Sequence, residues 1–325
     1  MNFSNKKIII TGGMGFIGSN LACHLVKMGA NVTLIDSLIP EYGGNLWNIE
    51  SIKDKVRINI SDVRDENSMR YLVRGQDYLF NLAGQTSHED SMNAPHTDLD
   101  INCRAQLFIL EACRNYNPEI KIIFTSTRQI YGRPQYLPVD EIHPLYPVDI
   151  NGINKISGEW YHLVYNSVYG IPLTVLRLTN TYGPHMRIKD ARQTFLGIWI
   201  KKLLEGKPIQ VFGDGKQIRD YNYIDDVISA LLLTASSEEG KGEIYNLGGS
   251  MPINLIETAE LLIHLNGGGI YEIIPFPEKR KKIDIGDYYA DYRKIQSKFG
   301  WKPVTSLAEG FKKTIDFYRK FLNHY

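Results

Sequence analysis

The chain has 325 residues, 43% of them hydrophobic, enough to bury one large core or two moderate ones, and two is the expectation. Lys plus Arg (37) nearly balance Asp plus Glu (36), so no overall field draws the protein onto nucleic acid or an anionic membrane. Small-molecule chemistry is favoured, and no metal is expected.

The opening MNFSNKKIIITGG runs from two lysines into an apolar run too short for a signal-peptide core or a membrane span, so a soluble, unprocessed start is expected. KIIIT (7–11) reads as a first strand, and TGGMGFIGSNL puts Gly12, Gly15 and Gly18 at three-residue spacing where that strand gives way to a helix. The glycines permit a tight turn, close backbone approach to a pyrophosphate, and close helix packing, while free N–H groups at the helix start hold the phosphates. NVTLID (31–36) is the second strand, and it ends in Asp36, whose carboxylate can accept both adenosine ribose hydroxyls and repel a 2'-phosphate. NAD is therefore expected over NADP. After VRINI (56–60), Asp62 and Val63 sit where an adenine could be read, and they are expected to line the cofactor site.

YLFNLA (78–83) is a fourth strand, followed by a helical stretch, INCRAQLFILEACRNY, that carries Cys103 and Cys113. Ten residues of helical rise separate those thiols by about 15 Å, too far to bridge. With Cys23 the count is odd, and reduced thiols in the cytoplasm are expected. IKIIFTST (120–127) and PLTVLRL (172–178) are further strands, and PVDINGINKISGEWYH (147–162) reads as a helix with Asn151 and Lys155 on one face. The strands read as apolar on both faces. Their alternation with helices predicts a Rossmann-type, doubly wound α/β parallel sheet over residues 1–176. A smaller C-terminal α/β domain is expected over 177–325, where Gly-rich and Pro-rich turns such as FGDGK and PFPEKRKK break the rhythm.

Together with the glycine motif, NLAGQTS (81–87), TSTRQIYG (125–132), NKISGE (154–159), RLTNTYGP (177–184) and GDGKQIRDYNYIDDV (213–227) make the whole chain resemble the extended short-chain dehydrogenase/reductases. Within them it is similar to the NAD-dependent nucleotide-sugar epimerase and dehydratase branch. The resemblance implies tightly held NAD that removes a hydride from a sugar carbon and returns it. It puts NAD against Gly12, Gly15, Phe16, Ile17, Gly18, Asp36, Asp62, Val63, Leu82, Ala83, Gly84, Asn102, Thr125 and Lys155. It puts the nucleotide-diphosphate sugar against Ser87, Thr127, Asn180 and Arg219, with Thr127 bonding the reacting oxygen. Where the family often has an arginine before YYADYRKI, this chain has KKID, making Lys281 the expected phosphate contact and Arg280 the runner-up.

The residue four before the lysine is normally a tyrosine acid/base in this family, and here it is Asn151. A free phenol titrates near pKa 10, and a lysine and an oxidised nicotinamide pull it down by roughly three units, about 4 kcal/mol. A carboxamide exchanges hydrogen bonds but no proton. Three readings stand open: a slowed enzyme, a binder without turnover, or a second proton carrier, with Tyr146 first and Tyr131, His88 and His143 behind it. Because Thr127, Lys155 and the phosphate contacts all persist, retained catalysis is favoured.

Dehydratases of the branch carry an Asp-Glu pair directly after the hydroxyl residue, and here Arg128 and Gln129 stand there, which disfavours loss of water. Epimerisation, most simply at C4, is the leading expectation, and oxidation to a released keto sugar is the enzymatic alternative. Helices near 98–116 and 151–169 carry wide apolar stripes, the second through Ile156, Trp160, Leu163 and Val164; by resemblance these pair into a four-helix bundle, so a homodimer is expected.

Overall fold

Short apolar runs separated by amphipathic helices assemble into one parallel sheet. The computed structural model describes residues 1–192 and 194–325. The strands are β1 (Lys7–Thr11), β2 (Asn31–Asp36), β3 (Arg57–Ile60), β4 (Tyr78–Asn81), β5 (Lys121–Thr127) and β6 (Leu173–Leu178). A seventh, Glu243–Asn246, pairs with β6 in parallel. Across the sheet the order is Glu243–Asn246, β6, β5, β4, β1, β2, β3. The order reverses between β1 and β4, and a crevice opens there beyond the carboxyl ends of the strands.

Side-chain alternation sorts the core into two layers. Ile8, Ile10, Leu34, Phe80 and Leu176 pack on one face of the sheet. Ile9, Ile35, Leu79, Phe124 and Val175 pack on the other, against the helices Ala105–Tyr116 and Ile150–Tyr169. Every residue of β6 is buried. The edge strand β3 departs from the expected pattern: three of its four residues are exposed, because an edge strand has no second neighbour to cover it.

The sheet draws on both halves of the chain. β6 runs across position 176, and Glu243–Asn246 returns from well beyond it to cover the flank of β6. The rest of the second half forms three two-stranded pairings and the helices Phe195–Leu204, Leu255–Asn266 and Leu307–Phe321. Tyr131 joins the halves: its hydroxyl donates to Asn246 Oδ1 at 2.7 Å and accepts from Arg177 Nη1 at 2.7 Å. Arg177 in turn forms a buried ion pair with Glu159. Among the described residues no helix is long and apolar enough to cross a membrane, and all three cysteines are unpaired.

Candidate active site

Thr11 at the end of β1 fixes the crevice. Its hydroxyl donates to Asn81 Oδ1 at 2.8 Å and accepts from the backbone N–H groups of Leu82 and Ala83 at 3.0 and 3.1 Å. The chain then turns at Gly12, with φ +66°, so close to the next strand that a Cβ there would lie 3.0 Å from Ala83 Cα. The helix Phe16–Lys27 follows with Gly15 at its cap, no capping side chain and no acid in its first turn. Its first N–H groups and the positive end of its dipole are left for an anion. Asp36 ends β2, and its two carboxylate oxygens accept from Met14 N at 3.0 Å and Leu38 N at 2.9 Å. Burial raises its pKa against those backbone bonds. The bare helix start and the pinned acid fit a dinucleotide.

One cavity of about 810 Å³ runs from this crevice to the second half of the chain. Gly12, Gly15, Phe16, Ile17, Gly18, Asp36, Asp62, Val63, Leu82, Ala83, Gly84 and Thr125 all line it. Asp62 is clasped by Arg64, Oδ2 to Nη2 at 2.6 Å, which holds its carboxyl below the usual range. Asn102 stands behind this wall in a π-helical turn, Asp100–Arg104. Its Nδ2 donates to Gln85 O at 2.9 Å, its Oδ1 has no partner among the described residues, and a Cβ on Gly84 would come within 2.9 Å of that oxygen.

The residues expected at the reaction centre sit where β5 ends against the helix Ile150–Tyr169. Asp149 caps that helix, Oδ1 accepting from Gly152 N at 2.7 Å, and one turn later Lys155 projects into the cavity. Lys155 Nζ donates to Thr125 O at 2.7 Å and lies 4.5 Å from the centre of the Phe124 ring. Burial pulls its pKa down to about 8, with Asp98 and Glu159 opposing. Thr127, two residues along β5, lines the same cavity. Its Oγ1 accepts from Gln129 N at 3.3 Å, so its proton is free for another acceptor. Asn151 lines the cavity too, yet its Nδ2 donates to Gln85 O at 2.9 Å and to Asp98 Oδ2 at 3.1 Å. Both acceptors demand N–H, so only Oδ1 is left for a ligand.

Of the residues expected to meet the substrate, Ser87, Asn180 and Arg219 also line the cavity. The Ser87 hydroxyl caps the helix His88–Asn93, accepting from Asp90 N at 3.1 Å, and Asn180 Nδ2 donates to Asp220 O at 2.9 Å. Arg219 is held by Ile218 O, Gly286 O, Gln217 Oε1 and Asp284 Oδ2. Lys281 is exposed and outside the cavity; Arg280 is inside it, its Nε 3.1 Å from Glu89 Oε2. The short helix Glu278–Lys282 turns these neighbours in different directions, so Arg280, and not Lys281, stands on the cavity wall.

A family model described as the NAD dependent epimerase/dehydratase family matches residues 8–248. The chain belongs to that family. A putative UDP-glucose 4-epimerase of Methanocaldococcus jannaschii is 33% identical over 95% of this chain and 97% of its own. The crystal structure of a Thermotoga maritima UDP-glucose 4-epimerase with UDP-glucose has a TM-score of 0.88 at 32% identity, covering 97% of this chain and 99% of that one. The Thermus thermophilus UDP-glucose 4-epimerase in complex with NAD has a TM-score of 0.86 at 28% identity, covering 96% and 98%. NAD is the cofactor, and it supplies a reversible hydride acceptor when bound.

Within this epimerase/dehydratase frame, three of the four alternative proton carriers lie away from the cavity. Tyr146, the first choice, is 64% exposed and does not line the cavity. Tyr131 is wholly buried and serves the Arg177 and Asn246 network. The His143 ring bonds to Gln135 N and Pro144 O at 2.9 and 2.7 Å. His88 alone of the four lines the cavity.

Sequence reasoning also missed two acids. Asp98, fully buried, holds Asn151 and Asn154, and nothing in its neighbourhood PHTDLD announces that. Asp149 was findable, because an Asp directly before an apolar helical pattern is a cap signal. Arg128, noted only as a missing carboxylate, proves to be a cavity residue without a hydrogen bond or ion pair among the described residues: its Nε is sealed and unpartnered there, and its guanidinium lies 5.8 Å from the centre of the Tyr288 ring.

Proposed function

We propose that the protein epimerises the sugar of a nucleotide-diphosphate sugar, at C4, through a transient keto sugar. The observation that carries this reading is the shared cavity in which Thr127 and Lys155 stand between the bare helix start and the basic far wall. Lys155, braced on Thr125 O, keeps a positive potential where a nicotinamide ribose would lie. Thr127 offers the reacting oxygen a hydrogen bond. Arg128 and Arg280 meet the diphosphate or another anionic group of the substrate.

Dehydration would need an acid and a base beside Thr127, and those positions offer neither. Gln129 donates its amide to Asp149 Oδ2 at 2.7 Å and is buried, while Arg128 is a cation. Oxidation, rotation of the keto sugar and re-reduction need only the hydride acceptor and a proton carrier. A second reading, a binder that holds NAD without turnover, is favoured by the locked amide of Asn151.

Incubation with a panel of UDP, dTDP, GDP and CDP sugars, followed by NMR, separates the two readings. The expected result is an epimer that keeps a deuterium label placed at the inverted carbon. Nucleotide-sugar binding with neither epimer nor reduced cofactor would select the binder. We further propose a cytoplasmic homodimer joined through the exposed apolar stripe Trp160, Val164 and Val168.

A further inference from the structure

An oxidised hydroxyl must lose a proton as well as a hydride, and Asn151 can take neither. We propose that His88, oriented by Asp149, is the proton carrier of this site; the inference rests on the epimerase reading above.

Geometry carries it. His88 Nδ1 is sealed from solvent and lies 2.9 Å from Asp149 Oδ2, and the Asp149 side chain has no exposed surface. The nitrogen is in ion-pair range of the carboxylate without an in-plane hydrogen bond to it. Asp149 itself cannot drift, because Gly152 N and Gln129 Nε2 each donate to it at 2.7 Å. The His88 side chain is 34% exposed, on the cavity wall, and its Nε2 is not sealed.

A buried carboxylate on one imidazole nitrogen fixes the proton there and leaves the lone pair of the other facing outward. Nε2 is thereby left as an acceptor on the cavity wall. The same carboxylate caps the helix bearing Asn151 and Lys155, so proton carrier and reaction centre share one anchor. Asn151, with both N–H bonds turned inward, presents Oδ1 and can only steer the hydroxyl.

The step balances. The sugar O–H bond breaks and its proton goes to His88 Nε2; the C–H electron pair leaves as hydride to the nicotinamide dinucleotide, and C=O forms. Reversal on the opposite face returns the hydride to carbon and the proton to oxygen.

Two measurements on the NAD-loaded protein test this. In ¹⁵N NMR of the histidine rings, assigned by loss of signal in His88→Gln, the neutral ring should carry its proton on Nδ1, and Asp149→Asn should weaken that preference. His88→Ala should lower kcat by about 10²–10⁴ with KM within a few-fold, and added imidazole should restore part of the rate. Recovery by imidazole also shows that the variant is folded. A bare Nδ1 with the proton on Nε2, or full kcat in His88→Ala beside an active wild type, would overturn the role of His88 alone. Absence of turnover by the wild type on every sugar of the panel would remove the epimerase reading, and the proton carrier with it.

Discussion

Asn151 donates to the buried carboxylate of Asp98 at 3.1 Å, and that bond turns the residue four before Lys155 into a fixed part of the wall. The phenol expected there by family resemblance would have faced the sugar. The carboxamide instead faces inward with both hydrogens.

Asn151→Asp keeps the shape and removes both donors. Two carboxylates then meet without water, and the loss of stability should be about 3 kcal/mol or more at neutral pH. The new acid titrates above its unfolded value, so the penalty should shrink as pH falls and a proton restores one donor. Urea unfolding at pH 5 and pH 8 measures the difference; equal losses at both would contradict the contact.

Lys155 is held at a cost. Its pKa is pulled down from 10.5 to about 8 by burial, so the folded protein binds its proton less readily than the unfolded chain does. Stability is therefore lowered below about pH 8 and recovers as pH climbs from there toward 10.5. Lys155→Met should end turnover while raising the stability of the substrate-free protein at pH 7 by roughly 3 kcal/mol at most. Thermal melts at pH 7 and pH 10 should show that gain fading at the higher pH.

Arg128→Met should trade binding for stability in the same way. Burial and the neighbouring Arg219 lower the guanidinium pKa, the mark of a cation awaiting an anion. Calorimetry should show nucleotide-sugar affinity falling roughly tenfold to hundredfold, the worth of one charged hydrogen bond. The free variant should melt higher than wild type. An unchanged affinity would remove Arg128 from the substrate site.

Trp160→Glu tests the assembly. Trp160, Val164 and Val168 are 54%, 46% and 65% exposed, spaced one turn apart on a single stripe. Sedimentation should convert a dimer to a monomer at micromolar concentration, with the cavity and NAD binding intact. A wild type that sediments as a monomer would count against the interface.

Much of this architecture was legible in the sequence because its signals are local. The glycine turn, Asp36 at the end of β2 and the Lys155 helix each announce themselves within a dozen residues, and all reach the crevice. What stayed hidden depends on where distant segments meet. Tyr146, placed first, lies exposed outside the cavity, while His88, placed behind it, opens the helix that Ser87 caps and comes within 2.9 Å of Asp149. Lys281 and Arg280 differ by one position, and the rotation of a five-residue helix decides between them. Of the apolar stripe, Leu163 packs on the sheet core and Ile156 on a small cluster with Tyr131, leaving Trp160 and Val164 outside.

The pairing of Glu243–Asn246 with β6 bears on how the protein can be made. A ribosome must deliver some seventy residues after β6 before that strand receives its outer neighbour. Until then a strand meant to be wholly covered presents an open edge, which is a template for aggregation. Cutting the gene at the apparent end of the dinucleotide half would leave that edge permanently bare, so biosynthesis of the first half depends on the second.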